Sequence, residues 1–135
     1  MNNDIYIAWS PRVLSILRIV SGYLVLVHGT AKLLHMPQIA MFDNLQIMSL
    51  IGVAGIIELV FGGLMLLGLF TRFSAFILSG FTAAAYFIGH ASKGHPLLPI
   101  LNAGELAVLF CFVFLFIIFA GAGPWSVDAL RGKSS

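Results

Sequence analysis

Apolar residues occupy four long stretches of this chain, and short connections containing polar residues, glycine or proline separate them. A helix that crosses a bilayer needs about 20 predominantly apolar residues, and each stretch is close to that length. No strand pattern competes with these long runs. The pattern therefore predicts an all-α integral membrane protein with transmembrane helices at about residues 13–34, 48–69, 73–91 and 102–120.

Residues with capping chemistry stand at the beginning of each predicted helix. A short polar side chain accepts hydrogen bonds from the free N–H groups of a first turn, and proline fits the first helical position. A capping residue followed three positions later by Glu or Gln forms a capping box. The predicted starts are Ser10 with Pro11 for the first helix, Asp43 with Gln46 for the second or a short turn before it, Thr71 for the third, and Asn102 with Glu105 for the fourth.

The composition agrees with a membrane protein and excludes several other classes. Of the 135 residues, 60% are hydrophobic and 9% are charged. A soluble domain of this length cannot hide so much apolar surface, since roughly a third of its extended-chain surface stays in water. The net charge of +2 is too small to indicate nucleic acid as a partner. The single cysteine, Cys111, excludes a disulfide framework, a Cys-x-x-Cys redox pair and a thiolate metal site within one chain.

Lysine and arginine are divided unequally between the two sides of the predicted helices. With four spans, both termini and the connection near Thr71 share one side, and we expect residues 1–135 to form a single membrane domain whose first segment is retained. Positive residues favour the cytoplasmic side, so we expect an antiparallel four-helix bundle with cytoplasmic termini. The terminal side holds Arg12, Arg72, Arg131 and Lys133, with Arg18 a little deeper, and the other side holds only Lys32 and Lys93.

Titratable residues from all four predicted helices lie in the half of the membrane away from the termini. Glu58 is near the midplane in the second helix, and Lys32 lies one turn beyond His28 on the same face of the first. This convergence is the main indication of function. The converging residues are His28, Lys32, Glu58, His90 and Glu105.

Glu58 is the residue that no simple structural explanation covers. A carboxylate at a helix centre costs about 2.5 kcal/mol or more, and protonation, a partner or a functional cavity is the usual remedy. Gly55 and Gly62 lie on its helical face and allow a neighbouring backbone to approach, so we expect Glu58 to point into the bundle. His28 and, at longer reach, Arg18 are its expected partners.

The other polar residues have structural explanations beside the functional one. Glu105 is explained equally well as the capping-box partner of Asn102. His28 is explained as a hydrogen-bond partner between helices, and Arg18 and Lys32 are close enough to the two surfaces to snorkel. His90 and His95 are explained as interfacial residues.

The chain resembles the DoxX-like membrane proteins, from about Arg12 to Asp128. The matching segments are "LRIVSGYLVLVHGTAKL", "GIIELVFGGLMLLGLFTR" and "LNAGELAVL". The resemblance implies a four-helix bundle of the bacterial inner membrane, similar to the membrane subunit of thiosulfate:quinone oxidoreductase. Fold carries over between such relatives more readily than reaction does.

Three classes of function remain open. The first is a subunit of a quinone-linked oxidoreductase, in which Glu58, His28 and Glu105 exchange protons with the quinone and a redox partner supplies electrons. Arg18, Lys32, His90 and Asn102 are the further residues expected to bind the cofactor. The second class is a metal or haem site made by the same residues, although the Glu-x-x-His spacing of bundle metal sites is absent. The third is a non-catalytic transporter or scaffold whose polar residues fix the helix register.

Overall fold

The computed structural model describes residues 3–132, which form helices and short connections with no β-strand in that range. Lys133, which contributes to the predicted charge asymmetry, lies outside the described residues. Two 3-10 turns, Ala40–Phe42 and Ala91–Lys93, and one π-helical turn, Tyr86–His90, supplement the α-helices. The α-helices are α1 (Asp4–Leu33), α2 (Leu50–Leu67), α3 (Thr71–Ala85), α4 (Pro99–Asn102), α5 (Glu105–Ala120) and α6 (Val127–Leu130).

Three helical segments of the described chain are long and apolar enough to cross a membrane. They are Asp4–Leu33, Leu50–Leu67 and Thr71–Lys93, the last being α3 with the two turns that prolong it. The predicted fourth helix is shorter, because Ala103 adopts a left-handed conformation (φ 58°) that separates α4 from α5. The 16 residues of α5 rise about 24 Å at 1.5 Å per residue, less than the roughly 30 Å of a hydrocarbon core.

The first helix begins earlier than predicted. It starts at Asp4, so Pro11 lies inside it and the expected start at Ser10 and Pro11 is wrong. Proline removes the backbone donor that would bond the carbonyl of Ile7, yet the helix continues through it. Side chains on either side donate to the two neighbouring carbonyls: the Ser10 hydroxyl to that of Tyr6 at 2.6 Å, and Arg12 to that of Ala8 at 2.9 Å.

The second helix is capped by a residue that the sequence pattern did not single out. Ser49 has extended backbone geometry, and its hydroxyl accepts from the N–H of Gly52 at 3.1 Å. The Asp43 and Gln46 capping box is therefore not the start of α2. Asp43 instead follows the 3-10 turn Ala40–Phe42 as its C-cap, so the alternative in which Asp43 begins a short turn before the helix is wrong as well.

The α2–α3 turn is tight and is completed from the far end of the chain. Gly68 ends α2 with a positive φ of 69°, which glycine adopts without strain. The carboxylate of Asp128 accepts from the N–H groups of Phe70 at 3.1 Å and Thr71 at 2.9 Å. Thr71 is the first residue of α3 and its hydroxyl is buried without a hydrogen-bond partner, so the prediction that Thr71 caps this helix is wrong.

Arg72 anchors the end of a neighbouring helix. Its guanidinium donates to the carbonyls of Ile118 and Phe119, the latter at 2.7 Å, in the last turn of α5. Arg72 thus ties the start of α3 to the end of its neighbour α5.

The four longer helices pack as two antiparallel pairs, α1 with α2 and α3 with α5, and α2 and α3 join the pairs. Glycines set the close approach of the first pair. A Cβ atom added at Gly22 would lie 2.6 Å from the backbone nitrogen of Leu66, and one at Gly29 would lie 2.5 Å from that of Leu59. Gly62 faces Leu26 in the same way at 2.7 Å. The expected role of Gly62 in close packing is confirmed.

An apolar core joins both pairs of helices. Its residues come from all four longer helices, and they are Val25, Met65, Ala75, Leu78, Phe110, Phe114 and Ile117. We refer to the end of the molecule that holds the α2–α3 turn as the turn end. The opposite end, which holds connections 34–49 and 94–104, is the loop end.

Candidate functional site

Glu58 is buried and forms an ion pair with Lys32. The ammonium nitrogen of Lys32 lies 2.8 Å from Oε1 and 2.7 Å from Oε2 of the carboxylate, and the Glu58 residue is 7% exposed. The sequence suggested His28 or Arg18 as partner and explained Lys32 by snorkelling. Lys32 takes this place because Gly29 packs against the backbone of Glu58 and Leu59, which brings the next turn of α1 over the carboxylate.

The pair offsets the cost of two charges in an apolar setting. Two buried opposite charges need good geometry and further hydrogen bonds to compensate for lost hydration. The carboxylate receives two contacts from one ammonium group. The ammonium also lies 5.9 Å from the centroid of the Phe42 ring, in the 3-10 turn at the loop end, where the face of the ring attracts a cation.

The ion pair opens onto a cavity of about 310 Å³ between the helices. We call this cavity the Glu58 chamber. Val25, Phe81 and Phe110 provide apolar walls, and a few polar groups from several elements complete the lining. A mostly apolar cavity with a few convergent polar groups is the usual form of a small-molecule site. The polar residues of the lining are His28, Lys32, Glu58, Thr82 and His90.

Both histidines of the chamber are held through Nδ1. This nitrogen lies 2.7 Å from the carbonyl oxygen of Leu24 in His28 and 3.0 Å from that of Asn102 in His90. A carbonyl oxygen only accepts, so Nδ1 is the protonated nitrogen in each ring. The neutral form of each histidine therefore keeps the lone pair on Nε2, available to accept a proton or a hydrogen bond.

His90 reaches the chamber from a π-helical turn. The segment Tyr86–His90 interrupts the α-helical hydrogen bonds of α3 near the loop end. Such turns are rare and are frequent at functional sites. The ring of Tyr86 stacks on that of His90 with centroids 6.4 Å apart. Sequence reasoning placed His90 near the end of the helix but offered no indication of this turn.

Asn102 supports the chamber from behind His90 and does not line it. Its amide donates to the hydroxyl of Tyr86 and to the carbonyl of His95, both at 3.2 Å. Its Oδ1 accepts from the N–H of Gly104 at 2.9 Å. This buried amide therefore orders the connection between α3 and α5, and no capping-box bond to Glu105 forms.

Glu105 is not brought to the chamber. It is exposed at the start of α5 and lines a separate open groove with Pro99 and Phe112. The prediction that it faces the interior beside Glu58 is wrong. The helix is broken at Ala103 and Gly104, so α5 begins with a new rotation about its axis. The Glu105 side chain therefore points away from α1 and α2.

Arg18 is fully buried at the turn end, about two helical turns along α2 from Glu58. Its guanidinium donates to the carbonyls of Met65 at 2.7 Å, Leu66 at 2.7 Å and Ala122 at 2.9 Å, and also to that of Trp125. These carbonyls end α2 and begin the C-terminal segment. Arg18 therefore closes the turn end and does not contact Glu58.

Among residues 3–132, no three His, Cys, Asp or Glu side chains are grouped closely enough to hold one metal ion. His28 and Glu58 share the chamber with Lys32, whose ammonium contacts both oxygens of the Glu58 carboxylate.

The apolar helices and the buried polar chamber define a multi-pass helical membrane protein. Residues 13–91 match the DoxX family model, and the chain belongs to the DoxX family. The match ends before α5, whereas the resemblance in the sequence extended to Asp128.

Two proteins of Haemophilus influenzae are similar to the chain. One, named only as an uncharacterized protein, is 46% identical over 122 residues, which is 89% of this chain and 91% of the relative. The other, with the same description, is 34% identical over 76 residues, 56% of this chain and 49% of the relative. No solved structure matches the chain significantly. The similarity therefore identifies the family, and the descriptions of these relatives name no reaction.

Proposed function

We propose that this protein is the membrane subunit of a quinone-linked oxidoreductase and that the Glu58 chamber binds the quinone head group. The observation that carries the proposal is the Lys32 and Glu58 pair, which opens onto a cavity with two further histidines. The ammonium donates hydrogen bonds and Nε2 of a neutral histidine accepts them. A quinone needs donors to its carbonyl oxygens, and the quinol needs acceptors for its hydroxyl groups.

Proton balance explains why a titratable pair belongs in such a chamber. Reduction of a quinone to a quinol consumes two electrons and two protons. The electrons come from a redox partner subunit, since the sequence contains one cysteine and no haem-attachment motif. The protons pass through Glu58 and His28, which line the same chamber. General acid–base transfer requires each of these groups to come within hydrogen-bond reach of the quinone oxygen that it serves.

The proposal includes an arrangement in the bacterial inner membrane. We expect α5 to form a fourth span with the termini in the cytoplasm, so that the turn end faces the cytoplasm. Arg12, Arg18, Arg72 and Arg131 at or near the turn end support this orientation by the positive-inside tendency. The chamber then lies in the outer half of the membrane.

Binding of tetramethyl-1,4-benzoquinone to the protein in lipid nanodiscs tests the head-group site. We expect the parent to bind it, and Glu58→Gln and Lys32→Met each to weaken binding at least tenfold. Each single variant leaves one partner uncompensated, which lowers stability as well. The Lys32→Met/Glu58→Gln double variant removes both charges, so it should regain thermal stability without regaining binding. Parent-like binding by a stable double variant would show that the pair only fixes helix packing.

Cysteine labelling in intact cells tests the orientation. In a Cys111→Ala background, Lys93→Cys at the loop end should react with a membrane-impermeant maleimide, because Lys93 is exposed. Ser10→Cys, exposed at the other end of the molecule, is the matched control and should react only after lysis. Labelling of residue 10 with protection of residue 93 would reverse the proposed topology.

A further inference from the structure

A second cavity adjoins the Glu58 chamber and runs between α2 and α3. It measures about 370 Å³, and we call it the α2–α3 groove. Ile57 and Val53 line it on α2, Ala84 lines it on α3, and Ile88 lines it on the π-helical turn that follows α3. The two cavities adjoin, and five residues line both of them. These are Lys32, Ala54, Phe81, Ala85 and His90.

The polarity of the groove changes along its length. Its charged or titratable residues, Lys32 and His90, stand at the junction with the chamber. The remainder is apolar and opens sideways, because Leu50, Ile51 and Ile88 on its rim are exposed. In a membrane protein this surface faces lipid chains. The combined cavity is therefore polar at its inner end and apolar towards the bilayer.

Small residues keep the groove open. Ala54, Ala84, Ala85 and Gly89 line the groove, and larger side chains at these positions would fill the space between the two helical segments. A Cβ atom added at Gly89 would meet nothing within 4 Å. The groove therefore has open space at Gly89 for added apolar atoms.

We infer that the ligand of the Glu58 chamber is a long-tailed quinone, with its isoprenoid tail in the α2–α3 groove. This inference rests on the proposed function and specifies its substrate class and entry route. The chamber volume suits a ring with small substituents, and the tail follows the apolar path that begins at Lys32. A ligand with a charged or strongly hydrated substituent is excluded from that path by the cost of burying an unpaired polar group. The quinone enters laterally from the bilayer between α2 and α3.

Two glycine substitutions on the same helix test this route. Gly89→Leu places an apolar side chain in the groove, whereas Gly80→Leu lies outside both cavities. At each position an added Cβ meets nothing within 4 Å, so both variants should fold. The probes are tetramethyl-1,4-benzoquinone and the same ring with one methyl replaced by a decyl chain. Comparing variants in identical nanodiscs cancels the partition of the decyl probe into lipid.

We expect Gly89→Leu to weaken binding of the decyl probe at least tenfold and to leave that of the tetramethyl probe within twofold. Gly80→Leu should bind both probes like the parent. Equal binding of the decyl probe by Gly89→Leu and the parent would overturn the tail assignment while leaving the head-group site intact. Failure of the parent to bind either probe would instead overturn the proposed function, and this inference with it.

Discussion

The turn end and the chamber both contain a buried charge, but the surroundings of the charges differ. Arg18 at the turn end is surrounded by protein, and four backbone carbonyls occupy its guanidinium. Lys32 and Glu58 satisfy each other and border a cavity. A buried charge bound to backbone on all sides can only hold helices together. A charged pair with one side open to a cavity has room to bind a ligand and exchange a proton.

The sharpest test of this contrast is the loss of Arg18. Arg18→Met removes the donors to four carbonyls at the ends of α2 and the C-terminal segment, so we expect a loss of stability on the order of 3–5 kcal/mol. Thermal unfolding in detergent measures it. The matched control is Arg12→Met, because Arg12 is partly exposed and donates to one carbonyl of its own helix. Equal unfolding temperatures for Arg18→Met and Arg12→Met would contradict the structural role assigned to Arg18.

Reversal of the charged pair is expected to separate stability from binding. Lys32→Glu with Glu58→Lys keeps one positive and one negative group at the same contact, so stability should stay within about 1 kcal/mol of the parent. Binding of tetramethyl-1,4-benzoquinone should fall at least tenfold, because the donor moves to the other side of the chamber. Unchanged binding in the reversed protein would contradict a directional role of the pair. The single Glu58→Lys variant, with two cations in contact, controls for pairing and should be unstable.

Loss of the Asp128 carboxylate should have a smaller effect on stability than loss of Arg18. Its carboxylate caps the start of α3, so Asp128→Ala should lower the free energy of unfolding by about 1–2 kcal/mol. Quinone binding at the chamber should be unchanged. Asp43→Ala is the control, since Asp43 is exposed and its contact with Gln38 is long, at 3.4 Å. If Asp128→Ala impaired binding in a protein of normal stability, the two ends of the molecule would be coupled.

Several features were predictable because they depend on neighbouring residues in the chain. The apolar stretches predicted the helices, and Gly62, four residues after Glu58, correctly indicated a close backbone neighbour on the same face. Because Glu58 lies on the same helical face as Gly62, its burial was predictable as well. Gly22 and Gly29 repeat the seven-residue spacing of Gly55 and Gly62, which indicates a glycine-lined contact between the two helices. In the structure the two pairs alternate, with Gly29 against Leu59 and Gly62 against Leu26, so their spacing alone does not fix which residue lies opposite Glu58.

Other features depended on which helix lies beside which, and the tertiary structure alone decided them. Asp128 caps α3 from a distance of 57 residues along the chain, and no local pattern encodes that contact. The sequence determined that a carboxylate would be buried among apolar helices, because an isolated charge there must find a partner or a cavity. Whether that partner was Arg18, His28 or Lys32 depended on the register of α1 against α2. The phase of α5 after the break at Ala103 likewise directed Glu105 away from the chamber, since one left-handed residue redirects every side chain that follows it.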